Sequence, residues 1–322
     1  MFHSSKFLIG SAALFAASLA SAAPVSLGQA GAYNLVSFGN FNSAGTSIGG
    51  SVAVAGNLTA SSYSIGGQSV VVGGDLRFTG GSIAGNAYVG GTRTTGQMSI
   101  GGQWQSGNAP LGFTALAHDM DVLSTGLADV AKTGSSQIQY GGLYLKGTNS
   151  AVEVFNLNAS DLSSTWSSLS QLASGSTIIF NIAGANLNLS GGLFNGMGNY
   201  NVLLNFYEAQ TITFSNIGLD ASILAPTATV RGGSGNINGN VVVGDWQSSM
   251  SLQNRRGFQG VDVAGYVLPE PIEPSRPETG LPTSPLPSTP SAEVPEPTQL
   301  ALFAAGLAML GVTARKRKQQ RA

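Results

Sequence analysis

The chain has 322 residues, of which 45 are glycine and only 9% are charged, and it contains no cysteine. Disulfides, thiolate nucleophiles and cysteine metal sites are therefore excluded, and stability has to come from packing and backbone hydrogen bonds. The formal net charge of −1 conceals basic ends: with Lys6 and the terminal Arg315, Lys316, Arg317, Lys318 and Arg321 set aside, 8 basic residues face 15 acidic ones up to Pro297, a net of −7 with no electrostatic footprint for nucleic acid.

Residues 1–23 read as a secretory signal peptide: Lys6, an apolar run over 7–20, then small residues at Ser21, Ala22 and Ala23. The run is too short for a comfortable membrane span. Cleavage by signal peptidase is expected at Ala22 or Ala23, which starts the mature chain near Pro24.

From Ala32 onward, short β-rich runs are broken by glycine pairs. Val54-Ala55-Gly56-Asn57-Leu58 aligns with Val72-Gly73-Gly74-Asp75-Leu76 at a period of 18, and Ala87-Tyr88-Val89-Gly90-Gly91 follows at 17. Ser99-Ile100-Gly101-Gly102 trails at a shorter interval. Strands of about three to five residues at near-constant spacing predict a β-solenoid whose turns stack on one another. Phe113, Leu116, Ala117, Met120, Leu123, Leu127, Val130 and Ala131 then recur at three- and four-residue intervals, an apolar stripe on a helix with Gly134 as its stop. A second, shorter helix is expected from Ser160 or Asp161, carrying Leu162, Trp166, Leu169 and Leu172.

Strand signals return over 176–184, 185–192, 201–209, 211–216, 220–230 and 238–246, several with period-two alternation. The fold class is mostly β: a β-solenoid or β-helix-like domain with one or two packed helices, the alternative being a β-sandwich. Residues 266–293 form a Pro-rich linker, with eight prolines from Pro269 to Pro290. Such a segment cannot bury a core and reaches on the order of 80 Å in polyproline geometry. Val294-Pro295-Glu296-Pro297 follows, then an apolar span over about 298–314, at the lower length limit for crossing a bilayer. Arg315, Lys316, Arg317 and Lys318 form a basic stop held in the cytoplasm.

Catalytic signals are sparse. Gly45-Thr46-Ser47-Ile48-Gly49 has nucleophile-elbow spacing but precedes another short strand and lacks a histidine partner. His118, Asp119 and Asp121 read as the solvated side of the predicted helix. Glycoside cleavage needs two carboxylates at fixed separation; the candidates are Asp75, Glu153, Glu208, Asp220 and Asp245, of which Asp75 and Asp245 follow turn glycines and suit backbone donors. With one histidine left after export, imidazole-rich metal sites are excluded, and the Gly-Gly-x-Gly-x-Asp calcium repeat is absent. Thr92, Thr94, Thr95, Thr211 and Thr213 do not recur at the solenoid period, as stacked ice-binding threonine rows would. No catalytic residue, metal ligand or cofactor is assigned.

The last 29 residues, with Val294, Pro295, Glu296 and Pro297 ahead of a span and a basic cluster, resemble the PEP-CTERM sorting signal of exopolysaccharide-producing Gram-negative bacteria. That resemblance implies recognition by an exosortase, cutting at the Pro-Glu-Pro element, and transient membrane association. Arg276-Pro277-Glu278-Thr279-Gly280 is a poor match to the Gram-positive sortase signal, since it lacks the leucine and lies far from the apolar run. Residues 30–265 resemble the choice-of-anchor A family, through Tyr33-Asn34-Leu35-Val36, the 50–58 segment, the 218–230 segment and Gly235-Asn236-Ile237-Asn238-Gly239-Asn240-Val241. This implies an adhesive surface protein. The two ends of the chain make signal peptidase and exosortase the expected partners during export, and long rows of Ser, Thr, Asn and Gln on a β face suit exopolysaccharide or other surface glycans afterwards, in an adhesive or structural role. The alternatives are a matrix polysaccharide-modifying enzyme and a permanently anchored domain.

Overall fold

The computed structural model describes residues 22–268, apart from 107, 108, 165 and 195. All but the last two residues of the expected signal peptide, the Pro-rich linker from 269, Val294–Pro297, the apolar run and the basic tail lie outside the described residues. Among the described residues no helix is long and apolar enough to cross a membrane.

Short strands stack in parallel, coil upon coil. One stack runs through Trp104–Gln105, Asn86–Val89, Ser69–Val72, Val52–Val54 and Leu35–Ser37. It continues through Val241–Ser248, Ser222–Gly232, Asn201–Asn205, Thr177–Ala183 and Val152–Asn158. This is the expected solenoid, and the parallel pairing removes the β-sandwich alternative, whose sheets are antiparallel. The 18- and 17-residue spacings are coil lengths: Val54 lies beside Val72 and Val72 beside Val89. Ser99 is no shortened copy of that repeat. Ser47, Ser64, Ser82 and Ser99 stack in sequence, so Ser-Ile-Gly/Ala-Gly is a second full-period repeat one side further round the coil.

Spatial order differs from chain order. Leu35–Ser37 pairs with Val52–Val54 on one side and with Val241–Val243 on the other, which places the first coil in the middle of the stack. The chain winds from there to one end at Trp104, passes through a helix, resumes at Val152 at the other end, and closes on its own beginning.

Two local constraints explain the glycines. A Cβ on Gly67 would lie 2.0 Å from the Ser51 nitrogen, and one on Gly85 2.1 Å from the Gln68 carbonyl oxygen, so the second glycine of the Ser-Ile-Gly-Gly repeat lets neighbouring coils approach. Where the first four coils bend between their two polar sides the backbone passes through the left-handed region, at Gly45, Ser62, Gly80 and Gln97 with φ between 49° and 72°.

Helix α1 (Phe113–Ala128) covers one side of the solenoid. Beneath it, strand residues are apolar without alternation because both of their faces are buried. Val52, Val54, Val70 and Val72 point into the solenoid core. Val36, Ala53, Val71, Leu203, Leu224 and Val242 point outward and join Leu116, Met120, Leu123 and Leu127 of the helix. The predicted stripe is thus the docking face. The helix ends at Ala128, six residues before its expected stop; Gly134 instead accommodates Phe155, whose ring a Cβ would meet at 2.2 Å. A polar cluster fixes the docking. Asn205 donates to the Ser124 carbonyl (2.8 Å) and to Asn181 Oδ1 (3.0 Å), and accepts from Ser124 Oγ (2.6 Å), while Asn181 donates to the Leu127 carbonyl (2.7 Å). The domain's ends share this side: Ala22–Val25 pairs antiparallel with Val261–Ala264, and Val25, Val263 and Tyr266 are buried in the same cluster.

The second expected helix does not form. Asp161–Ser163 is a single 3-10 turn without a side-chain cap, and Trp166–Ser170 is a strand paired in parallel with Gly142–Lys146, which also pairs with Ser135–Gln139. The spacing of Leu162, Trp166, Leu169 and Leu172 mimics a helical stripe. An available strand edge outweighs it in a serine-rich segment of modest helix propensity. At the opposite end, Arg93 occupies the inward register position of Leu76 and lies 4.3 Å over the Trp104 ring, a polar cover for the last coil.

Candidate adhesive surface

Two sides of the solenoid carry no helix. Their strands alternate: Phe41, Leu58, Leu76, Ile212, Val230 and Trp246 fill the core, and the residues that follow them point outward. On one side Asn42, Thr59, Arg77 and Thr94 stand in register, continued beyond the closure by Gln247, Arg231 and Thr213. On the next side Ser47, Ser64, Ser82 and Ser99 form an uncharged row, with Ser82 Oγ donating to Ser64 Oγ at 3.4 Å. Stacked strands repeat every ~4.8 Å, so these hydroxyls and amides form a regular polar lattice. Ser47, the serine of the elbow-like Gly-x-Ser-x-Gly, is one member of that row and sits in a strand rather than a strand-to-helix turn.

A ladder of side chains holds the corner of this lattice. Asp245 Oδ1 accepts from the Asn40 N–H (2.6 Å), Asn40 Oδ1 from Asn57 N–H (3.0 Å), Asn57 Oδ1 from Asp75 N–H (2.8 Å), and Asp75 Oδ1 from Thr92 N–H (2.7 Å). The Thr92 backbone and hydroxyl bonds hold the Asp75 carboxyl below its ordinary range. Its sequence signal is Gly followed by Asn or Asp once per coil, at Gly39, Gly56, Gly74 and Gly244.

The other three candidate acids, Glu153, Glu208 and Asp220, are also committed to the scaffold. Glu153, fully buried, accepts from Thr133 Oγ1 (2.7 Å), Thr148 N–H (2.6 Å), Thr148 Oγ1 (3.0 Å) and Ser150 N–H (3.0 Å). Burial by itself would raise its pKa; these donors outweigh burial and hold the carboxyl below its ordinary value of 4.5. Glu208 accepts from Gly184 N–H (3.1 Å) and Asp220 from Asn238 Nδ2 (2.6 Å). Each carboxylate proposed for glycoside chemistry therefore fastens a coil or loop. His118, Asp119 and Asp121 are exposed on α1, away from its docking stripe. Among the described residues no three His, Cys, Asp or Glu side chains are grouped as metal ligands would be. Ala22 and Ala23 are the first residues of the strand paired with Val261–Ala264. The Val294–Pro297 and Arg315–Lys318 sites lie outside the described residues.

The family described as "Putative Ice-binding-like adhesive domain" matches residues 26–254, which span the stacked coils and the helix. The chain belongs to that family. No curated protein matches the sequence. Among solved structures, an ice-binding protein from the Antarctic ascomycete Antarctomyces psychrotrophicus is similar at 17% identity with a TM-score of 0.32, over 71% of this chain and 97% of that one. The adhesive-domain assignment fits a surface that offers repeated hydrogen-bonding groups.

Proposed function

We propose that the protein is an exported, non-enzymatic surface adhesin that holds hydroxylated polymers, exopolysaccharide or other surface glycans, on the two uncovered sides of its solenoid. One observation carries this reading: the Asn42–Thr59–Arg77–Thr94 and Ser47–Ser64–Ser82–Ser99 rows stand in register and face solvent, whereas the third side is closed by α1. A rigid lattice of donors and acceptors binds a sugar chain with little ordering cost on the protein's side. Export and sorting complete the proposal. The signal peptide is cut at Ala22 or Ala23; cutting after Ala22 preserves the Ala23–Val263 pairing. The choice-of-anchor A and PEP-CTERM resemblances support processing at Val294–Pro297 by an exosortase, with the Arg315–Lys318 cluster lost alongside the span.

A glycan array probed with the full chain tests adhesion: binding to a set of polysaccharides is expected, and uniform failure leaves only a scaffold role. Intact mass of protein from the producing cells tests sorting. Loss of about 25 to 29 C-terminal residues is expected from the position of the motif, and a mass that still includes Arg315 refutes exosortase cutting.

A further inference from the structure

Away from the two polar rows, a cleft of about 310 Å³ opens at the corner between the serine-bearing side and the helix-covered side. Gly198, Tyr200, Asp220, Arg255, Arg256 and Gln259 line it. Its charge is unusual for this chain. The described residues hold 7 basic and 10 acidic side chains, yet two of the seven, Arg255 and Arg256, are adjacent here against the single carboxylate of Asp220, which is already bonded to Asn238. A cationic recess in an acidic protein concentrates the field on anions.

The segment that presents the arginines is fixed from both sides. Asn201 donates to the Gln259 carbonyl (2.8 Å) and accepts from the Gln259 N–H (2.9 Å). Asn240, itself buried, accepts from Phe258 N–H (2.8 Å) while donating to the Gly31 and Tyr33 carbonyls (3.1 and 2.7 Å). Arg256 donates through Nη1 to the Gly198 carbonyl, which orients its guanidinium across the cleft and leaves the other N–H groups of its fork available. The floor is open because residue 198 has no side chain: a Cβ there would lie 2.9 Å from Asp220 Oδ2 and 3.6 Å from Arg256 Nη2.

We infer that this cleft takes one anionic sugar unit of a polysaccharide, with its carboxylate on the Arg255–Arg256 pair and its hydroxyls on Asp220 and Gln259. Paired guanidinium forks match a carboxylate's geometry, and a neighbouring carboxylate accepts from sugar hydroxyls. The inference rests on the glycan-adhesion reading and adds to it a selectivity for acidic polymers.

The test is calorimetric titration of the full chain with an oligogalacturonate and with neutral dextran, at about 0.05 and 0.5 M salt, spanning weak to strong charge screening. The oligogalacturonate is expected to bind more tightly and to weaken in high salt. Arg255→Ala/Arg256→Ala should cut its affinity by more than about tenfold, as loss of charge-assisted hydrogen bonds requires. Gly198→Val, which fills the floor without removing charge, should do the same, with melting temperature confirming that both variants fold. Dextran binding should be unchanged in either variant. Dextran binding with no preference for the oligogalacturonate, or an arginine variant that binds it as the wild type does, overturns the cleft proposal and leaves adhesion by the polar rows standing. Binding of neither polymer overturns both.

Discussion

Asn205 is where the solenoid and its helix are joined, and replacing it with leucine measures that join. The side chain is fully buried and makes the three bonds to Ser124 and Asn181 described above. In Asn205→Leu, Asn181 Oδ1 and Ser124 Oγ lose their partner, each at about 1–3 kcal/mol for a buried group left unsatisfied. The added apolar surface of leucine returns about 1–2 kcal/mol. The net expectation is a loss of about 2–3 kcal/mol, read from urea unfolding of the full chain. Because Asn205 contacts the C-terminal half of α1, amide hydrogen exchange should speed up in the helix more than in the coils. A loss below about 0.5 kcal/mol, within the range of an ordinary surface substitution, or exchange that rises evenly through the molecule, would refute the view that the asparagine cluster docks the helix.

Other expectations concern the coils. Gly67→Ala brings a Cβ to 2.0 Å from the Ser51 nitrogen and should cost about 3 kcal/mol or more, whereas Gly28→Ala, strained at φ 49° but in open space, should cost about 1 kcal/mol; thermal melts of the pair separate steric contact from backbone strain. Ser62→Gly relieves a left-handed residue at φ 51° and should stabilise by about 0.5–1 kcal/mol, and a destabilised variant would show that the corner tolerates serine without strain. The Glu153 carboxyl titrates lower in the folded state than its ordinary value of 4.5, so its contribution is fully present above that value and disappears as the pH falls through the folded-state value. Glu153→Gln should therefore be less stable than wild type at neutral pH and should lose less further stability on acidification, which denaturant titrations at neutral and acid pH will report.

Much of this architecture is visible in the sequence where contacts are local. The 18-residue spacing of Val54 and Val72 is a coil length because consecutive coils stack, and unbroken runs such as Val70-Val71-Val72 mark strands buried on both sides. The closure of Val241–Val243 onto Leu35–Ser37 cannot be read from spacing, since it joins segments more than 200 residues apart, although Gly244-Asp245 repeats the corner signal of the first coils. The second half also hides its period. Val152 to Thr177 spans 25 residues and Thr177 to Asn201 spans 24, before coils near 18 resume. The Trp166 segment was misleading for a physical reason: its partner strand, Gly142–Lys146, decides its conformation, and no helix-forming preference within the segment competes. Of the surface, the role of Asp75 and Asp245 as turn acceptors followed from their place after glycine. The serine row is written at the same period, at Ser47, Ser64, Ser82 and Ser99, but serine is so common in this chain that only the stacking singles those four out.

The central claim is that adhesion belongs to the uncovered polar rows. It is tested most directly by measuring, with surface plasmon resonance, attachment of the full chain to immobilised exopolysaccharide after Ser64→Tyr/Ser82→Tyr, which disturbs the serine row, and after His118→Tyr/Asp121→Tyr, which places two tyrosines on the exposed side of α1. The account predicts that the serine-row variant loses most of its attachment while the helix variant keeps it. Equal retention by both, or loss confined to the helix variant, would contradict it.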